Sequence, residues 1–113
     1  MENESQMREG VRKESSRILY EDERYMIGVS SMGTDEHNLL VNDSYAFLGR
    51  GIFNELARAD VRRLESSLRM VGEEVWHEMR KRNISLEELG WVLAKAAIKD
   101  KEDYASYLVD QQD

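Results

Sequence analysis

Eight apolar residues, Phe53, Ala57, Val61, Leu64, Leu68, Val71, Val75 and Met79, recur at spacings of 4, 4, 3, 4, 3, 4 and 4. That spacing puts all of them on one face of an α-helix. It predicts a helix over about 52–82, roughly 45 Å long at the usual rise per residue. Ile52, Leu56 and Trp76 widen the stripe, and the stretch from Val61 to Val75 has coiled-coil spacing. A lone helix of this kind would leave its apolar face wet, so it must pack on another helix from this chain or from a second copy. The expected fold is all-α: a small bundle of four to five helices around this one, forming a single domain over 1–113 with a flexible segment at about 1–6. A homodimer is expected, because the stripe is longer than the chain's shorter helices can cover.

The remaining segments are read around that helix. Met7, Val11 and Ile18 make a thin stripe that predicts a helix from about Glu4 to Tyr20. Ile18-Leu19-Tyr20 and Tyr25-Met26-Ile27 flank a polar tetrapeptide. A β-hairpin over 17–30 is therefore the alternative to a continuing helix, although no Asn-Gly or Asp-Gly marks its turn. Residues 28–44 are rich in Gly, Ser, Asn and Asp and read as a loop, with Leu39-Leu40-Val41 tucked into the core. Asp43 or Ser44 is placed to cap a helical segment at Tyr45–Leu48. Gly49 and Gly51 predict a kink. Ser85 and Glu88 have capping-box spacing, with Ile84 and Leu89 as a hydrophobic staple, and open a helix reaching Ile98. Asp100 is expected to cap a last helix in which Tyr104, Tyr107 and Leu108 share a face, with Gln111–Asp113 loose.

Composition removes several chemistries. The chain has no cysteine, which excludes disulfides, thiolate nucleophiles and Cys-based metal sites. It has no proline, which favours long helices. Met1–Gly10 lacks the apolar stretch of a secretory signal, and no apolar run approaches the ~20 residues of a membrane span. No membrane association is expected, and the expected location is cytoplasmic. The net charge is −7. Residues 50–82 carry +2, between flanks of −5 and −4. Bulk negative charge repels nucleic acid at long range and suits a partner with a basic surface.

With two histidines in the chain, an imidazole site must use His37 or His77. Glu74 and His77 are three apart, as in helix-bundle metal sites, but those need further ligands and a core position, so solvated surface residues are the plainer account. His37 follows Thr34-Asp35-Glu36 in the expected loop, without a recognisable nucleophile motif. Gly49-Arg50-Gly51 lacks the third glycine of a dinucleotide loop and the Lys-Ser/Thr step of a phosphate loop. Ser85–Val109 resembles two helices and a turn, but the second would begin with Asp100, Glu102 and Asp103 where a DNA reader needs donors.

Arg58, Arg62 and Arg69 share one side of the expected helix, beside Arg63, and Arg80-Lys81-Arg82 closes it. Pairing with Glu55, Glu65 or Glu73 accounts for the first group plainly; an anion or nucleic-acid stripe is the functional account. Trp76 and Trp91 sit at the edges of their stripes, as interface tryptophans do. The candidate interaction residues are thus Arg58, Arg62, Arg69, Trp76 and Trp91, with no catalytic residue, metal or cofactor. The expected function is a non-enzymatic regulator, of inhibitor, antitoxin, immunity or adaptor type, binding another protein through an acidic helical surface. A nucleic-acid-binding regulator using the arginine stripe in a dimer is the first alternative. A metal-dependent helical-bundle enzyme using Glu74 and His77 is the second.

Overall fold

The computed structural model describes residues 2–30 and 36–112. Side chains of residues 2–5, Tyr104 and 107–112 lie outside the description, as do residues 31–35 and 113. Part of the expected 28–44 loop, the Tyr104/Tyr107/Leu108 face and Asp113 fall there.

The chain is α+β, not the all-α helical bundle that its periodicity predicts. A helix α1 (Glu2–Glu14) leads into four strands: β1 (Ser15–Glu21), β2 (Tyr25–Ser30), β3 (Glu36–Val41) and β4 (Ser44–Gly49). Four helices follow: α2 (Arg50–Arg58), α3 (Val61–Val71), α4 (Glu73–Lys81) and α5 (Leu86–Gln112). The strands form an antiparallel meander in the order β1-β2-β3-β4.

Both faces of the sheet are covered. Leu19, Tyr25, Ile27, Val29, Leu39, Val41, Ala46 and Leu48 join the main core with side chains of α2–α5. On the other face Met26 and Leu40 form a smaller cluster with Val11 and Met7 of α1 and with Ile18 and Tyr45. Strands buried on two sides read as unbroken apolar runs instead of alternating ones. Such short runs, here β2 and β3, cannot be told from helix by period alone; β1 lies within the expected helix, and β3 and β4 within the expected loop and capped segment. The hairpin alternative for 17–30 is the arrangement found. Its turn is closed without glycine: Asp22 Oδ1 accepts from the backbone N–H of Arg24 (2.9 Å) and of Tyr25 (2.8 Å). Asn42, at φ 55, supplies the left-handed residue of the β3–β4 turn, a conformation asparagine tolerates.

The expected 52–82 rod is broken twice. Ala59 leaves the helix at φ −77, ψ 148, and Asp60 caps α3 by accepting from the N–H of Arg63 at 2.9 Å. Gly72, at φ −145 and ψ 55, ends α3 and starts α4. A Cβ there would lie 3.1 Å from both Ala46 Cβ and Leu68 Cδ1, so this joint presses against β4. The apolar stripe itself is used: Phe53, Leu56, Leu64, Leu68, Val75 and Met79 are all buried. Its cover is the chain's own sheet and α5, so the stripe does not call for a second copy. The helix starting at Leu86 does not stop at Ile98 either; α5 runs 27 residues, and Asp100 is buried within it instead of capping anything. Ser85 Oγ accepts from the N–H of Glu87 (3.1 Å) and of Glu88 (3.4 Å).

Gly28 marks where β1, β2 and the end of α1 come closest. A Cβ on it would sit 2.1 Å from Ser15 Oγ and 2.8 Å from Ser15 Cβ. Ser15 cannot swing away freely, because its hydroxyl donates to the Val11 carbonyl at 2.6 Å. Gly28→Ala is therefore expected to cost about 2 kcal/mol, as overpacking does, read as a lower urea midpoint at unchanged slope.

Candidate functional site

The most polar part of the interior is centred on Asp100, which is 3% exposed. Its Oδ1 accepts from Arg17 Nη2 at 2.7 Å. Its Oδ2 accepts from Arg50 Nη1 at 3.1 Å and lies 3.1 Å from His37 Nε2. Arg17 also donates to Asp103 at 2.8 Å. The His37 ring is fully buried and stacks on Phe53, centroid to centroid 4.1 Å at 14°. Burial alone would raise the Asp100 carboxyl, but hydrogen bonds from Arg17 and His37, with the nearby Arg50 charge, outweigh that and hold it below its ordinary value. Four elements, β1, β3, α2 and α5, thus meet at one carboxylate. His37 is on a strand here, not in the loop expected for it, and is part of this buried cluster.

A second polar anchor joins the sheet turns to the helices. Glu88 accepts from Tyr25 Oη at 2.8 Å and pairs with Arg24 at 2.5 Å. Its carboxylate is thus committed to the β1–β2 turn, and the reciprocal half of the expected capping box is not made. Glu78, largely buried, accepts from Asn42 Nδ2 (2.9 Å) and Arg82 Nε (2.6 Å). Sequence reasoning passed over Asp100, Glu78 and Glu88 as binding centres; their signal, a carboxylate on or beside an apolar stripe, is one that capping and solvation also explain.

Glu74 and His77 are both exposed on α4. No group of three His, Cys, Asp or Glu residues among the described residues could hold a metal ion. No helix among them is long and apolar enough to cross a membrane.

Of the five candidate interaction residues, the structure gathers three. Arg62, Arg69 and Trp76 line one open pocket of about 620 Å³ on α3 and α4, with Met70, His77 and Glu73. Arg69 and Arg80 set their guanidinium carbons 4.9 and 5.3 Å from the Trp76 ring centroid. The His77 ring meets Trp76 edge-on at 4.9 Å. Met70 beside them is 84% exposed. The pairs expected with Glu55, Glu65 and Glu73 are not formed: among the described residues no carboxylate makes an ion pair with Arg58, Arg62, Arg69 or Arg80. The Trp76 indole N–H is removed from solvent and has no acceptor among the described residues.

The other two candidates lie elsewhere. Arg58 lines a groove between α2 and α5 with Ala57, Ala94, Ala97, Ile98 and Lys101. Trp91, 55% exposed, takes the edge of Tyr20 at 6.1 Å and has Lys95 Nζ 4.7 Å above its ring. Tyr20 donates to Asp22 at 2.7 Å, and that bond, with burial and the Asp22 charge, pushes its phenol up to about 12. Comparison with protein-family models, curated proteins and solved structures returns no match for this chain.

Proposed function

We propose that the protein is a non-enzymatic regulator, of inhibitor, antitoxin, immunity or adaptor type, that grips a partner protein through the α3–α4 face. The observation carrying this reading is the Trp76 ring, flanked by two guanidiniums that no carboxylate among the described residues holds and bordered by an almost fully exposed Met70. Tryptophan and arginine are the residues most enriched among energetic hot spots, and methionine adapts to varied apolar partners. Exposed arginines without partners are already poised for carboxylates, so this face suits an acidic segment carrying one or two apolar side chains. A basic partner follows from bulk charge; at this face Arg62 and Arg69 form no ion pair among the described residues, although Glu65 and Glu73 line the same pocket.

The chain has two tryptophans, so Trp91→Phe leaves Trp76 as the sole indole reporter. In that background an amphipathic peptide of Glu and Leu should shift Trp76 emission. Arg69→Glu should weaken binding at least tenfold, about 1.4 kcal/mol. A Lys/Leu peptide that binds equally well would overturn the reading. Salt-dependent retention of a labelled oligonucleotide, with no peptide response, would favour the nucleic-acid alternative instead.

A further inference from the structure

The two edge strands of the sheet are built differently. β1 is guarded. Its pairing to β2 shifts register between Ser15 and Arg17 and again between Ile18 and Tyr20, and it carries Arg17 and Glu21, both held in ion pairs. Bulges and charges are what keep an edge from pairing with another strand. β4 has neither. It pairs with β3 in unbroken register, and its residues, from Ser44 to Gly49, include no charge and no proline. The two-residue turn Asn42-Asp43 makes Val41 and Ser44 a hydrogen-bonded pair, so Ala46 and Leu48 also bond to β3. The backbone N–H and C=O groups of Tyr45, Phe47 and Gly49 then point outward, and no backbone group among the described residues bonds them. α4 meets this strand from the core side, through Gly72 against Ala46, while Phe47 is 50% exposed. We propose that β4 pairs with β4 of a second copy, antiparallel about a two-fold axis at Phe47, so that one sheet runs through both copies. The proposal is independent of the partner-binding face on α3–α4.

A row of outward N–H and C=O groups calls for an extended strand, and two observations select this chain's own β4 as that strand. The first is register. With the axis on Phe47, Tyr45 faces Gly49 of the second copy, and Phe47 faces its own counterpart. All the outward residues then meet one another as hydrogen-bonded pairs. The two Phe47 rings come together on one side of the sheet as a cross-strand aromatic pair. The second observation lies at the strand ends. α2 follows β4 directly, starts without a side-chain cap and has no acidic residue in its first turn. A helix start leaves N–H groups unbonded and favours a nearby carboxylate. Asp43, exposed at the β3–β4 turn, forms no ion pair among the described residues. Continued past the strand, the same register carries Asp43 of each copy beside Gly51, in the first turn of the other copy's α2. Each copy supplies the anion that the other's helix start lacks. A two-fold interface requires this self-complementarity, in which each contact is made twice.

Light scattering should give twice the 13.2 kDa of one chain. Phe47→Lys sets two like charges at the axis and should return the monomer mass with an unchanged far-ultraviolet circular dichroism spectrum. Asp43→Lys, which leaves the strand intact, should weaken the dimer about tenfold. The wild-type chain reports the geometry without any substitution. On raising its concentration from about 5 to about 500 μM, amide hydrogen exchange at Tyr45, Phe47 and Gly49 should slow about tenfold, while the amides of β1 keep their rates. A wild-type monomer at about 100 μM would overturn the proposal. So would a dimer that survives Phe47→Lys, or one whose Tyr45, Phe47 and Gly49 amides exchange as fast as in the monomer.

Discussion

Replacing Asp100 with alanine is expected to lower stability by about 3 kcal/mol at pH 7, because it removes the buried carboxylate of an ionic cluster. Arg17, Arg50 and His37 all converge on this carboxylate. In a domain of this length the loss corresponds to a fall in Tm of roughly 10–15 °C. The effect has a pH signature. Asp100 titrates below its ordinary value in the folded chain, so its ionised form favours folding. That contribution is complete above the unfolded-chain value of about 3.9 and is lost as pH falls through the lower folded value. The gap between wild type and Asp100→Ala should therefore be widest near neutrality and narrow below about pH 4. Equal gaps at pH 7 and pH 3 in urea titrations would show that the carboxylate charge is not what holds the cluster.

Phe53→Ala is the second large effect, with an expected loss of about 4 kcal/mol. The ring is fully buried in the main core, and truncation leaves a cavity that the sheet on one side and α5 on the other cannot close. It also removes the stacking partner of His37, whose ring lies 4.1 Å away. At a slope of about 2 kcal/mol per molar urea the midpoint should fall by about 2 M. Because Phe53 and Asp100 act on the same histidine, the double variant should lose less than the two single losses added together. Strict additivity would mean that the stack and the ionic cluster work separately.

Much of the helical half was legible. Phe53, Leu64, Leu68, Val75 and Met79 of the stripe are buried, though Val61 is 40% exposed; Ser85 does bond the first turn of α5, and Met7 and Val11 do line α1. What the pattern hid was the set of breaks within it. The stripe keeps its spacing across Asp60 and Gly72, because successive short helices laid on one sheet reuse the same buried side. An aspartate and a glycine were the only signs of the breaks, and both also occur inside helices. The sheet was harder. Tyr25–Val29 and Leu39–Val41 are buried on both faces, so the alternation that marks a strand is absent. Its first turn is made by an aspartate bonding the backbone just after it instead of by glycine.

The candidate surface was legible in parts. Arg62, Arg69 and Trp76 were chosen on a continuous rod, yet they converge because the rod bends at Gly72 and brings α4 back beside α3. Arg58, on α2, is left at a separate groove. The sequence offered i, i+4 carboxylates as partners for these arginines, and only the folded geometry shows that the pairs are not made. The full length of α5 was hidden because Asp100 looked like a helix start.

The Asp100 junction also sets an order on synthesis. The meander pairs only strands that are neighbours in sequence, and all four precede α2. Arg17, His37 and Arg50 are all in place by then, but the anion that ties them together arrives only some fifty residues later along the chain. Until it does, Arg17 on β1, His37 on β3 and Arg50 at the start of α2 lack the one carboxylate on which all three converge in the folded chain. The docking of α5 is then the step that locks the two halves of the molecule together.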